Sequence, residues 1–309
     1  MRNSTITQPS IEQKKVFYST MDKFTKSQKL KEKIIPYLLQ YHPEILRNSN
    51  RKQRIRECCN MIAFRRYLET NIQLVSSNFC KYDRICIACA TKRAMRMIKK
   101  FKEIKAHNLY EKQRYYIVLT INHKRDALSE LMNRLMLYKS RLARIYRNSK
   151  RNNQRSKSFF AQFDGMVVSI EIAHKGKNGW HPHINILACS NNNIPTETKF
   201  TRGYTNSQLL DERKKITDTS YIHNIRKIEV MRDHFSRSGI GEVFKYAIKF
   251  SDLTIEQLAE VMVQQDKNQY RFFATYGIFR GWKLEGNKYN DRSDGIFLWQ
   301  EGNQKYYKI

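Results

Sequence analysis

An α+β fold is predicted by three features of this chain. Period-two apolar runs, YYIVLTIN, MVVSIEIAH and WHPHINILA, fall in its middle. Two of them are joined by the turn-forming KGKNG rather than by a helix, which makes an antiparallel hairpin. Helical-period segments lie before, between and after these runs, so helices are expected to pack against one face of the sheet.

The elements follow in chain order. Ile11 to Leu46 interleaves Phe17, Met21, Phe24, Leu30, Ile34, Leu38 and Leu39 with lysines, the pattern of a basic helical arm that Pro36 kinks or divides. A cysteine-rich stretch runs from Cys58 to Cys89, and a helix from Lys92 to about Lys105. The first strong strand begins at Tyr115. Asp126 is placed to cap the next helix, whose Leu128, Leu131, Met132, Leu135, Leu142 and Ile145 recur at helical spacing. Arg147 to Ser158, RNSKRNNQRSKS, reads as a polar basic loop. The hairpin strands are Gly165 to His174 and Trp180 to Cys189. A β-rich run at Tyr221 to Val230 precedes a helix around Gly241 to Ser251, and Thr254 with Gln257 forms a capping box that opens one more.

Lys plus Arg total 58 against 28 Asp plus Glu, a formal net charge of +30. That excess exceeds what solubility requires and points to a polyanionic partner. The basic residues are spread along the whole chain, which favours nucleic acid over a membrane-anchoring patch. Arg147, Lys150, Arg151 and Arg155 are candidate phosphate contacts. No segment approaches the roughly 20 apolar residues of a membrane span. MRNSTITQPS lacks the apolar core of a signal peptide, so an intracellular location is expected.

The chemistry concentrates in GWHPHINILA. Side chains alternate along a strand, so His181 and His183 share one face while Pro182, Ile184 and Ile186 share the other. Two imidazoles on a rigid strand are a bidentate grip for a divalent metal. On the neighbouring strand Glu171 shares a face with Val167 and Ser169, and supplies an oxygen ligand if the register matches. His174 competes for that role. In GEVFKYAIKF, helical spacing puts Glu242, Tyr246 and Lys249 on one face. A phenol becomes a nucleophile once a nearby cation favours its ionised form, and a carboxylate beside it can activate water. Lys245 is a further basic contact there. Cys80, Cys86 and Cys89 form C-x5-C-x2-C, with Cys58 or Cys59 upstream as a fourth thiolate. In an intracellular chain this pattern favours structural zinc over disulfides. The alternative, a redox C-x-x-C, lacks its usual βαβ context. Cys189 reads as a small buried residue.

The order of these motifs, YYIVLTIN then HPHINIL then EVFKYAIKF, resembles the rolling-circle replication initiators of small bacterial plasmids, in the HUH endonuclease superfamily. The resemblance runs from about Cys58 to Trp282 and includes the tail YRFFATYGIFRGW. It implies an HUH-type antiparallel sheet of about five strands with packed helices, plus a zinc-bearing helical N-terminal region. It implies metal ligation (Mg²⁺ or Mn²⁺) by His181, His183 and Glu171, a Tyr246 nucleophile, and Glu242 as the acid that terminates the reaction. It also favours Cys58 over Cys59 for structural Zn²⁺. Two departures stand out: Asn185 replaces a third histidine, and Cys86-Ile87-Ala88-Cys89 lacks the usual proline.

The organisation expected is a basic arm at 1–50, a cysteine-rich zinc-binding region at 51–110, a nicking-joining domain at 111–285 and a tail at 286–309. The implied activity is metal-dependent nicking and rejoining of plasmid DNA through a 5′-phosphotyrosine, at a double-strand origin that is single-stranded at the nick. Host helicase and polymerase would be partners in the bacterial cytoplasm. The alternatives are an HUH transposase or relaxase, or a non-catalytic zinc-containing protein that binds single strands. The Glu-x-x-x-Tyr spacing and the missing helicase domain favour the initiator.

Overall fold

Strand periodicity in the middle of the chain resolves into a five-stranded antiparallel sheet, its strands lying in the spatial order 222–227, 113–120, 180–190, 165–174 and 273–277. The computed structural model describes residues 11–67, 71–104, 112–123, 126–151, 158–194, 198–200, 203–205, 207–218, 222–227, 253–281 and 295–308. It divides into two units, residues 94–284 and residues 1–93 with 285–309. Among the described residues no helix is long and apolar enough to cross a membrane.

In the 94–284 unit the sheet is built from β3 (Gln113–Thr120), β4 (Gly165–His174), β5 (Trp180–Ser190), β8 (Ile222–Lys227) and β9 (Phe273–Gly277), while β6 (Thr198–Phe200) and β7 (Gly203–Thr205) pair only with each other. One face is apolar: Ile117 and Leu119 from β3, Val168 and Ile170 from β4, Ile184 and Ile186 from β5, and Ile225 from β8 are all buried there. Helix α4 (Leu128–Arg151) covers this face with Leu135, Tyr138, Leu142 and Tyr146. Burying a side chain of that size contributes about 1.5–3 kcal/mol, which is why the strand alternation fixes the faces. The opposite face of the same strands carries Thr120, Ser169, Glu171, His181, His183 and Asn185. Helices α5 (Ser207–Thr217) and α6 (Ile255–Lys267) belong to the same unit. The Thr254–Gln257 capping box at α6 is present in both directions, Gln257 N–H to Thr254 Oγ1 and Thr254 N–H to Gln257 Oε1.

The other unit holds the helices expected of the N-terminal region and adds a sheet that was not expected. It contains a four-stranded antiparallel sheet, order β11-β10-β1-β2, made from β1 (Met61–Tyr67), β2 (Asn71–Ser77), β10 (Gly295–Gln300) and β11 (Lys305–Lys308). Met61 pairs with Leu298, so half of the sheet comes from the C-terminal stretch. Short strands such as MIAFRRY have little local signature; pairing with a distant partner stabilises them. Helix α1 (Ile11–Tyr41) runs through Pro36 without a break and buries Phe24, Ile34 and Leu38. It is followed by α2 (Ser49–Glu57) and α3 (Ile87–Ile104), the latter starting earlier than expected and continuing into the second unit.

Two further expectations change. Arg147, Lys150 and Arg151 lie in the last turns of α4, not in a loop, because cations are favourable near a helix C-terminus and extend it. Asp126 does not cap α4. The helix begins at Leu128, so Ala127 directly precedes it, and the Asp126 carboxylate accepts a hydrogen bond from Arg134, two turns into the helix.

Candidate functional site

The histidine strand is the first of two candidate sites. Antiparallel pairing sets Glu171 directly opposite His183, and Thr120 opposite His183 on the other side. All three therefore lie in one row across the sheet, on the polar face. His181 Nδ1 and His183 Nε2 face each other at 2.7 Å, and Thr120 Oγ1 lies 3.0 Å from His183 Nδ1. Burial, reinforced by Lys175 and His123, pushes the His181 imidazolium down to about 4. Burial and the neighbouring His181 push His183 down to about 3. Both rings are therefore neutral at pH 7, with lone pairs for a cation.

Asn185 sits where a third ligand would be, and its carboxamide is already committed. Its Nδ2 donates to Glu171 Oε2 at 3.1 Å, and its Oδ1 accepts from the Tyr116 hydroxyl at 2.9 Å. The amide thus orients the carboxylate beside His183. Asn185 is fully buried and Tyr116 nearly so. The Ser169 hydroxyl, two residues before Glu171 on the same face, is buried and has no hydrogen-bond partner among the described residues. His174 is excluded from the group, because it lies on the other face with its ring against Trp180, centroids 5.0 Å apart.

His123 joins the group and was not singled out in the sequence. Its ring packs against His181 with centroids 4.4 Å apart, and its Nδ1 lies 2.9 Å from the Ile121 carbonyl oxygen. Its position three residues past Thr120 was the only available signal. Two facing nitrogens, an oriented carboxylate and an orphaned hydroxyl suit a divalent cation. Among the described residues, however, only the cysteine cluster brings three or more ligand atoms within 4.8 Å of one another. Tyr246, Glu242, Lys249, Lys245 and Arg155 lie outside the described residues.

The second site is that cluster. Cys58 at the end of α2, Cys80 after β2, Cys86 before α3 and Cys89 in its first turn converge with their Sγ atoms within 4.8 Å of one another, all buried. Cys58 and Cys89 are 3.6 Å apart, and Cys80 and Cys89 3.5 Å. Tetrahedral ligation with Zn–S near 2.3 Å sets sulfurs about 3.8 Å apart, against about 2.05 Å in a disulfide. The spacing fits zinc, and all six cysteines are unbridged.

The residues that follow two of these thiols adopt left-handed backbone, Cys59 at φ 64° and Lys81 at φ 71°. The Lys81 turn aims its N–H at Cys89 Sγ, and Cys80 N–H points at Cys58 Sγ, each at 3.3 Å. Such donors stabilise thiolate charge. Hydrogen bonding from Cys58 holds the Cys80 and Cys89 thiols below the usual range, while the Cys58 and Cys86 thiols are driven up by the same shared hydrogens. The buried ammonium of Lys31 donates to the carbonyls of Arg56 and Cys58 at 2.7 and 2.8 Å. Cys59 stands outside the cluster, with the Tyr306 hydroxyl on its carbonyl and burial raising its thiol to about 11. Cys58, and not its neighbour, is the fourth member.

With this geometry in place, the class of protein follows from comparison. The family model described as Replication protein matches residues 71–307. The chain belongs to that family and is a replication initiator of the rolling-circle plasmid type. The matched stretch holds both histidines and three of the four clustered cysteines, and begins after Cys58. No curated protein and no solved structure gives a significant match.

Proposed function

We propose that this protein nicks one strand of DNA at a plasmid origin and later rejoins it, acting as an HUH-type endonuclease and strand transferase. The observation that carries the reading is the β4–β5 register. It sets Glu171 opposite His183 beside His181, on the polar face of a sheet whose other face is locked to α4.

His181, His183 and Glu171 would hold Mg²⁺ or Mn²⁺, which when bound neutralises charge on the scissile phosphate. Thr120 and Asn185 orient the ligands. Tyr246 is the nucleophile: its phenolate oxygen forms a bond to phosphorus as the bond to the 3′ oxygen breaks. The 3′ oxygen takes up a proton and is left as a hydroxyl that can prime synthesis. The 5′ end stays joined to Tyr246, and attack by a 3′ hydroxyl reverses the step and reseals the strand. Lys249, three residues past Tyr246 in the sequence, favours the phenolate. Glu242 activates water for the terminating cleavage.

Cys58, Cys80, Cys86 and Cys89 would hold structural Zn²⁺, which contributes folding free energy directly. Lys245, Arg147, Lys150, Arg151 and Arg155 contact phosphates. The setting is the bacterial cytoplasm, where a host helicase and polymerase would extend the freed 3′ end. The test is incubation with supercoiled DNA of its own replicon plus Mn²⁺. Wild type should give open circles and a protein–DNA adduct, and Tyr246→Phe neither. An adduct that survives in Tyr246→Phe would reassign the nucleophile.

A further inference from the structure

At the end of the sheet away from the histidines there is a cleft of about 830 Å³. Its walls carry Lys112, Arg147, Lys150, Arg151 and Arg280 against a single acid, Asp164. Glu171 lies six residues along β4 from Gly165, which marks this end of the sheet, so the two places are about 20 Å apart. The cleft is not part of the proposed metal site.

The five cations are not equivalent. Lys112 is committed, donating to Asp164 at 2.7 Å and to Asn191 at 2.6 Å. Lys150 donates to the Ala161 carbonyl at 2.8 Å. Arg147 donates from its Nε to the Ala143 carbonyl at 3.2 Å, and among the described residues its terminal nitrogens make no hydrogen bond. Among the described residues, Arg147, Arg151 and Arg280 form no ion pair, and all three are exposed. Three like charges around one concavity repel one another until an anion enters.

The cleft also has an apolar lining. Tyr276 is half-buried with its ring 5.9 Å from that of Tyr146, and Ile278 is 41% exposed at the rim. Its floor is rigid: the Tyr146 hydroxyl and the Ile278 N–H both donate to the Asp164 carbonyl, each at 3.1 Å.

We infer that this cleft binds a single strand of DNA, with phosphates on Arg147, Arg151 and Arg280 and a base against Tyr276 and Ile278. A flat duplex contact would use exposed cations alone, since duplex bases are stacked inside. A concave site that combines cations with an aromatic wall suits unstacked bases. The inference rests on the reading of this chain as a DNA-processing protein and deepens it, by giving the strand a second hold remote from the scissile phosphate.

The test is fluorescence anisotropy with a labelled 15-nucleotide oligo-dT and a labelled 15-base-pair duplex, across a salt series. The variants are Arg147→Ala/Arg151→Ala/Arg280→Ala and Tyr276→Leu. The triple variant should bind oligo-dT at least tenfold more weakly, with a log–log salt slope shallower by about 2. It should bind the duplex within twofold of wild type. Tyr276→Leu should lose several-fold in oligo-dT affinity at an unchanged salt slope, and unaltered thermal unfolding of both variants checks the fold. Equal losses on both probes, or no loss on oligo-dT, would overturn the inference. Because binding is the readout, a wild-type protein that fails to nick would refute the catalytic reading and leave this one standing.

Discussion

Replacing Thr120 by Val tests whether the hydroxyl beside His183 sets which ring nitrogen is available to a cation. The side chain is 2% exposed and Val matches its shape, so the change removes one oxygen without opening a cavity. That oxygen lies 3.0 Å from His183 Nδ1. With a cation at Nε2 the hydrogen must sit on Nδ1 and be donated to Thr120. Without the hydroxyl, that buried N–H has no acceptor, at a cost of about 1–3 kcal/mol. The ring avoids the cost by moving the hydrogen to Nε2, where His181 Nδ1 accepts it at 2.7 Å. Nε2 then has no lone pair to offer. Binding a cation must undo this, so affinity should fall about 5- to 150-fold. Calorimetric titration with Mn²⁺ at pH 7.5 reads the loss, and Thr120→Ser, which keeps the oxygen, should recover most of it. His183 is pushed down to about 3, so the ring is neutral in both proteins throughout pH 6–8 and the deficit should be flat across that window. Mn²⁺ binding by Thr120→Val within twofold of wild type would refute the reasoning.

Other outcomes follow from the same structure. Purified protein should contain about one zinc by metal analysis, and Cys86→Ser should lose it together with the thermal stability of the unit that holds the cluster; a zinc-free wild type would exclude the structural role. Glu242→Ala should nick and form the adduct at near-normal rates but accumulate multimeric single-stranded products in a replication assay. If it instead loses initial nicking, the water-activating role is wrong. Gly277→Ala should destabilise the 94–284 unit by at least about 2 kcal/mol in urea unfolding, because φ is 59° and a Cβ would stand 2.0 Å from the Asp164 carbonyl oxygen.

The parity of β5 was legible in the sequence because period two is a local property: His181 and His183 had to share a face once WHPHINILA was a strand. The turn KGKNG made β4 its neighbour, and the capping box at Thr254 is a contact across three residues. Register is different. Whether Glu171 faced His183 or lay one pair away depended on hydrogen bonding between strands, which composition does not encode. The roles of Asn185 and Tyr116 needed β3 beside β5 as well. His123 reaches His181 only through the loop after β3. In the other unit, the choice of Cys58 over Cys59 turned on one residue at φ 64°, and the sheet required partners from opposite ends of the chain. Arg147 to Arg151 looked like a loop because charge density alone does not distinguish a solvated loop from a solvated helical turn.

The pairing of Met61 with Leu298 bears on synthesis. On a ribosome, β1 and β2 emerge early, but β1 cannot acquire β10 until the whole 94–284 unit has been made. Until then the β1 edge stays open, and the Trp299 indole that donates to Glu32 of α1 is absent. The four thiols, by contrast, all lie between residues 58 and 89 and are available from the start. Metal capture by the nascent chain would therefore hold the ends of α2, β2 and α3 together through the long wait for the closing strands. A chain released before its last strands would carry the cysteine cluster without the sheet beside it.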